Sequence, residues 1–257
     1  MKNALGCNPC PVGAKGTVAD IEELLGGPIG SSFLEAIPNT LDLTKSIKVT
    51  IRDQNPAGTC VGFGTTQAMC SCARQVGLML DDYPAALAAY VQARAIDGIL
   101  KQAGDGANID SCLRAIQAGG YLLESEFPYK PELRHQGFKL GVGQHGLRKA
   151  GLRSHRIDQS SKGFEERIMQ LLVSRKGIVG GWLLDAPFEN WTPDKGPWNG
   201  MVQKAEGGHC MGVFDFPNGN PRLVNSWNEG WGDHGFIDFT WKALRAAQSL
   251  YAIDFVP

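Results

Sequence analysis

A thiol at position 60, amides at 54 and 225, and an imidazole at 209 occur in this 257-residue chain among neighbours that suit one kind of chemistry. Gln54 stands six residues before Cys60, His209 follows Gly207-Gly208, and Asn225 opens Asn225-Ser226-Trp227. A thiol attacks a carbonyl efficiently only as thiolate. It therefore calls for a base, a group that orients the base, and a donor for the oxygen that becomes negative. Cys60 supplies the nucleophile, His209 the base, Asn225 the orienting group and Gln54 the oxyanion donor. The sixteen residues from His209 to Asn225 suit two adjacent strands that set imidazole and amide side by side.

Positioning those groups needs a helix and a sheet. After Pro56-Ala57-Gly58-Thr59, the residues Val61, Thr65, Ala68, Met69, Cys72, Ala73 and Val76 recur at three- and four-residue spacings. A loop thus becomes a helix with one apolar face, and Cys60 sits in its first turn, where the positive helix end favours thiolate. Further helices are predicted over 18–25, 83–100, 110–118 (stopped by Gly119-Gly120) and 164–174. Short β-like runs follow at 178–184, 211–216, 222–226 and 236–239. Helices first and strands later imply an α+β protein. The nucleophile then comes from the helical part, the base from the sheet, and the site is the cleft between them.

Five segments in order resemble the papain-like cysteine peptidases, in the compact form of bacteria and their viruses. They are Leu41-Asp42-Leu43 with Val49 to Gln54; Gly58-Thr59-Cys60-Val61-Gly62-Phe63; Gly106 to Leu113 with Gly119-Gly120-Tyr121 and Glu126-Phe127-Pro128-Tyr129; Gly207-Gly208-His209 with Val213; and Leu223 to Phe236. The resemblance runs from about Ile37 to Phe255. It implies a two-lobed fold, with a helical lobe over about 55–130 and an antiparallel β lobe over about 131–257 plus an incoming strand at 46–53. Carried over by position, it makes Cys60, His209, Asn225 and Gln54 the catalytic set, with the Cys60 backbone N–H as second oxyanion donor. Gly106 resembles the glycine that pairs with extended substrate, and Gly208 and Trp227 join it as substrate-side residues. Trp227 is expected over the Asn225–His209 contact, shielding it from water. Two positions depart from the family: Val61 replaces an aromatic residue and Ala57 replaces a cysteine.

The implied activity is hydrolysis of peptide bonds through a thioester, with peptide or protein as substrate and neither cofactor nor metal required. Two other readings stay open: a structural or docking component of a larger assembly such as a virion, and a hydrolase of cell-wall peptide cross-links. A net charge of −1 gives no general reason to expect nucleic acid or an anionic membrane as partner. No run approaches the roughly 18 apolar residues of a membrane span. Ala4-Leu5-Gly6-Cys7 resembles a lipoprotein cleavage box but lacks an apolar stretch before it, so it is read as accidental, and a cytoplasmic or virion-associated protein is expected. Seven cysteines argue against a full disulfide framework. Cys7-Asn8-Pro9-Cys10 is read as a plain turn, ahead of a local disulfide or a metal site.

Residues 1–36 form an extension rich in glycine and small residues. It is too poor in large apolar residues to make an inhibitory domain, so it is expected along the body, or as an arm for self-association or docking, and not through the cleft. Arg134, Lys139, Arg148, Lys149, Arg153 and Arg156 are read as a solvated loop before an anion-binding surface. The loop at 187–204, with Phe188, Trp191 and Trp198, is read as a rim of the cleft, with packing on the sheet as the alternative.

Overall fold

The computed structural model describes residues 5–8, 18–25, 37–77, 82–136, 148 and 151–256. Its axis is helix α2, Cys60–Gln75, preceded in the chain by α1, Val18–Leu25. Burial of α2 exceeds the one-faced pattern, for every residue from Cys60 to Ala73 is buried. On one side it packs against α3, Ala86–Ile96, and α4, Ile109–Gly119. On the other it meets the sheet, so no face is left for solvent.

The sheet has six strands: β1, Gly151–Arg156; β2, Gly177–Leu184; β3, Gly207–Asp215; β4, Arg222–Val224; β5, Phe236–Asp238; and β6, Ser249–Val256. They lie in the order β1-β6-β2-β3-β4-β5, every pair antiparallel. Helix α5, Phe164–Val173, leads into β2, and the short α6, Ala186–Glu189, and α7, Trp241–Arg245, follow β2 and β5. Seven helices and this sheet make an α+β arrangement among the described residues. No helix among them is long and apolar enough to cross a membrane.

Some local expectations are corrected. Residues 46–53 form no strand; only Asp53 bridges, to Trp227. Side chains hold that segment in place of a ladder: the Arg52 guanidinium reaches Phe63 O at 3.1 Å and Thr66 Oγ1 at 2.7 Å and lies over the rings of Phe63 and Tyr83. The basic stretch is not simply solvated loop. Residues 151–156 are strand β1, and Arg134, Arg148 and Arg153 pair with Asp105, Glu126 and Asp254 at 2.6 Å each. Lys139 and Lys149 lie outside the described residues. Strands β1 and β6 have no signal in the local sequence, since Tyr251–Val256 of β6 pairs with sequence about a hundred residues away.

The loop at 187–204 turns its rings inward instead of rimming the cleft. Phe188 lies 5.1–6.2 Å, centroid to centroid, from Trp198, Trp227, Trp231 and Phe239. Edge-to-face and offset contacts of this kind add to simple burial. The cluster anchors Trp227, and through it the histidine strand. Phe188→Ala should therefore lower unfolding free energy by about 3–5 kcal/mol. A urea titration followed by tryptophan fluorescence checks this; a loss under about 1 kcal/mol would show that the cluster is dispensable.

Candidate active site

Cys60 is the first residue of α2, and its thiol faces four backbone amides, those of Cys210, Gly6, Val61 and Cys60 itself. The antiparallel sheet supplies the other side. His209 lies on β3 opposite Trp182 of β2, and its Nε2 is 2.7 Å from Asn225 Oδ1, just beyond β4. The same Oδ1 accepts from Ser226 N at 2.7 Å, which fixes the amide with its oxygen toward the imidazole. An amide oxygen accepts only, so His209 Nε2 carries the hydrogen. Nδ1, the other ring nitrogen, is buried and has no hydrogen-bond partner among the described residues.

Gln54 is tied into the same cluster by three bonds. Its backbone N–H donates to Ser226 O at 2.9 Å, its Oε1 accepts from Ser226 Oγ at 2.7 Å, and its Nε2 donates to Ala57 O at 3.0 Å. Trp227 stacks on His209 at 4.5 Å between centroids and 30° between planes. Phe188 and Trp231 meet it edge to face and it is 1% exposed, so it acts as a wall on the imidazole. Gln54, His209 and Asn225 are thus joined through Ser226, and Cys60 lies by the amide of Cys210, the residue after His209; all four are 0–2% exposed.

That burial has a cause the sequence reading missed. Residues 5–8 run through the cleft as a strap, contrary to the expectation that the extension would avoid it. Gly6 N and Cys7 N donate to Gly208 O at 2.9 and 2.8 Å. Across the cleft, Ala107 N donates to Gly6 O at 3.1 Å and Asn8 N to Ala107 O at 2.9 Å, a parallel bridge. The expectation failed because it asked for a bulky inhibitory domain, whereas a four-residue strap needs only backbone bonds and room. Small residues give the room: a Cβ on Gly6 would stand 1.8 Å from Gly58 O, and one on Gly208 would stand 1.9 Å from Cys7 O. The Leu5-Gly6-Cys7 run was the available signal. The remainder of the extension that is described, α1, does lie along the body, with Ile21 and Leu24 buried against the sheet side of the core.

Of the other expected positions, Gly208 meets the strap directly. Gly106 lines it but does not pair with it; the pairing residue is Ala107, one position on. Cys7, Cys60, Cys70, Cys72, Cys112 and Cys210 are buried, and Cys10 lies outside the described residues. Among the described residues no cluster of three or more His, Cys, Asp or Glu could hold a metal ion.

Electrostatics follow from the strap. Burial pushes the Cys60 thiol up to about 12 from 9.0, against the pull of the surrounding amides. Burial likewise pushes His209 down to about 4 from 6.5, with the Asn225 bond opposing. In this closed state the pair is neutral thiol and neutral imidazole, so the thiolate expected from the helix end is not formed.

No protein-family model matches this chain, and no curated protein sequence is similar to it. Solved structures are similar in fold. Xylellain, a cysteine protease from Xylella fastidiosa, superposes with a TM-score of 0.77 at 17% identity, covering 100% of this chain and 97% of that one. ProCathepsin B S9 from Trypanosoma congolense gives 0.71 at 14% identity over 97% and 85% of the two chains. The bromelain protease from Ananas comosus, in complex with the E64 inhibitor, gives 0.62 at 19% over 84% and 99%. At these identities the likeness establishes the papain-like fold.

Two outcomes are expected from this geometry. Outside the fold His209 takes up a proton below 6.5, whereas inside it the proton is refused down to about 4. Its contribution to stability is therefore lost as pH falls from about 6.5 toward 4. In urea midpoints at about pH 7 and about pH 5, His209→Gln should show a smaller acid loss than the parent; equal losses would contradict the assignment. Gly6→Ala cannot seat the strap. Brief iodoacetamide treatment with peptide mapping should show Cys60 alkylated on the order of tenfold faster in that variant, a shift of about 1.4 kcal/mol in strap opening. Unchanged alkylation would mean that the strap does not control access.

Proposed function

We propose that this protein is a cysteine peptidase held latent by its own residues 5–8. The observation that carries the reading is the state of His209: Asn225 holds it by Nε2, Trp227 covers its face, and among the described residues its buried Nδ1 is left without a partner. A histidine with only a packing role would leave no reason for that orphaned nitrogen. The protease neighbours support the same chemistry at the level of fold.

Once the strap leaves, water enters and the desolvation that raises the Cys60 thiol falls away, while the amides of Val61, Cys60 and Cys210 stay. The thiol proton passes to His209 Nδ1, and Asn225 steadies the imidazolium through Nε2–H. Cys60 Sγ bonds to the substrate carbonyl carbon. The carbonyl oxygen, now negative, is met by the Cys60 N–H and by Gln54 Nε2, whose carboxamide is fixed through Ser226 and Ala57. Collapse breaks the C–N bond, His209 gives its proton to the leaving amine, and a thioester remains. Water then attacks with His209 as base, releasing the acid and restoring the thiol.

Hydrolysis of a fluorogenic peptide mixture by Gly6→Ala protein tests the proposal. Cys60→Ala or His209→Ala in that background should abolish turnover. Gln54→Ala should lower kcat by about 100-fold or more, as removal of an oxyanion donor does, with the smaller part of the effect in KM. Asn225→Ala should leave a reduced but measurable rate, because the amide orients a base that it does not create. Full hydrolysis by the Cys60→Ala protein would overturn the mechanism.

A further inference from the structure

On the side of the cleft away from Gly208, the strap pairs with a single described residue, Ala107, and a buried cation stands behind it. In an extended backbone the N–H and C=O of one residue point to one side and those of its neighbours to the other. At Ala107 both groups face the cleft, where they hold Gly6 and Asn8. At Gly106 both face the interior: its N–H donates to Tyr90 Oη at 2.9 Å, and its carbonyl accepts from Arg94 Nη1 at 2.7 Å. Gly106 takes φ 117°, a region that disfavours side chains, and this is the turn that separates the two directions.

Arg94 is 2% exposed. Its Nη2 donates to Ile99 O at 2.7 Å and to Gln102 O at 2.9 Å, so one guanidinium gathers three carbonyls of the loop between α3 and α4. Its Nη1 also lies 3.4 Å from Tyr90 Oη. All of these partners are uncharged oxygens, and the buried Nε has no partner among the described residues; a buried guanidinium held in this way is costly unless the arrangement serves something. The planar fork suits it, since a lysine ammonium could not span the three sites.

We infer that Arg94, with Tyr90, is a positioning residue for substrate: by fixing Gly106 inward it presents the Ala107 N–H and C=O to whatever extended backbone lies in the cleft, the strap first and a peptide substrate afterwards. The inference rests on the peptidase reading given above. Main-chain pairing with an edge supplies affinity without regard to side chains, so Arg94 sets how strongly the cleft prefers extended peptide over a small electrophile.

The test compares two reagents on the full-length protein. Iodoacetamide needs only the thiol; an epoxide carried on a short peptide also pairs with the edge. Strap opening precedes both reactions, so its contribution cancels in the ratio of their rates at Cys60. That ratio should fall on the order of tenfold in Arg94→Met, the equivalent of about 1.4 kcal/mol or one net hydrogen bond. It should fall less in Arg94→Lys and severalfold in Tyr90→Phe, which removes the Gly106 N–H acceptor and keeps the ring. A merely structural role would move thermal stability and leave the ratio alone. If the parent prefers the peptidyl reagent and folded Tyr90→Phe or Arg94→Met retains that preference, the positioning role is overturned while the peptidase reading stands. Should Arg94→Met fail to fold, Tyr90→Phe decides. If the parent shows no preference for the peptidyl reagent, the peptidase reading falls, and this inference falls with it.

Discussion

Driving the N-terminus of a helix into the protein interior leaves its first backbone N–H groups to be satisfied from outside the helix, and at α2 that constraint organises what lies around it. Thr59 holds the cap position yet provides no side-chain cap; its hydroxyl meets Tyr129 Oη at 2.9 Å instead. The amides of Cys60 and Val61 therefore turn to the thiol, joined by that of Cys210 from β3. Tyr129 also bonds Gln54 O, so one ring ties the carboxamide loop to the helix start. Full burial of α2 between two helices and the sheet holds this end in place.

A helix end and a ring of amides favour a negative sulfur, but desolvation opposes them, and the magnitudes decide the outcome. The helix end contributes about 1–2 kcal/mol. A rise in the thiol from 9.0 to about 12 corresponds to more than that, so with the strap in place the proton stays on sulfur. In the proposed peptidase, residues 5–8 tip the balance by excluding water, and the same amides favour thiolate when water returns.

Orientation of the base has its own cost. Among the described residues, His209 Nδ1, Asn225 Nδ2 and Trp227 Nε1 are all buried without partners, and all three belong to one stack. The aromatic cluster of Phe188, Trp198, Trp231 and Phe239 offsets that by packing against Trp227 from behind. Elsewhere a comparable device holds the sheet to the chain before α2: Asp215, fully buried, accepts from Arg222 and from the Leu43 N–H at 2.8 Å.

The sequence by itself determined the helix that begins at Cys60 and the order of helices before strands, and it named the four polar residues of the candidate site, because helical periodicity and side-chain chemistry are local properties. It did not determine β1 or β6, whose partner strands lie far away in the chain, nor the inward turn of Phe188 and Trp198, since an aromatic loop reads alike whether it rims a cleft or fills a core. The strap was the least legible element. Leu5, Gly6, Cys7 and Asn8 have no periodicity and little apolar bulk, and their placement depends on backbone groups of Gly208 and Ala107 that any sequence carries. The ionisation of Cys60 and His209 was out of reach for the same reason. Residue type fixed what each group can do, whereas burial by a segment more than fifty residues from the thiol and two hundred from the imidazole decided which charge state it holds.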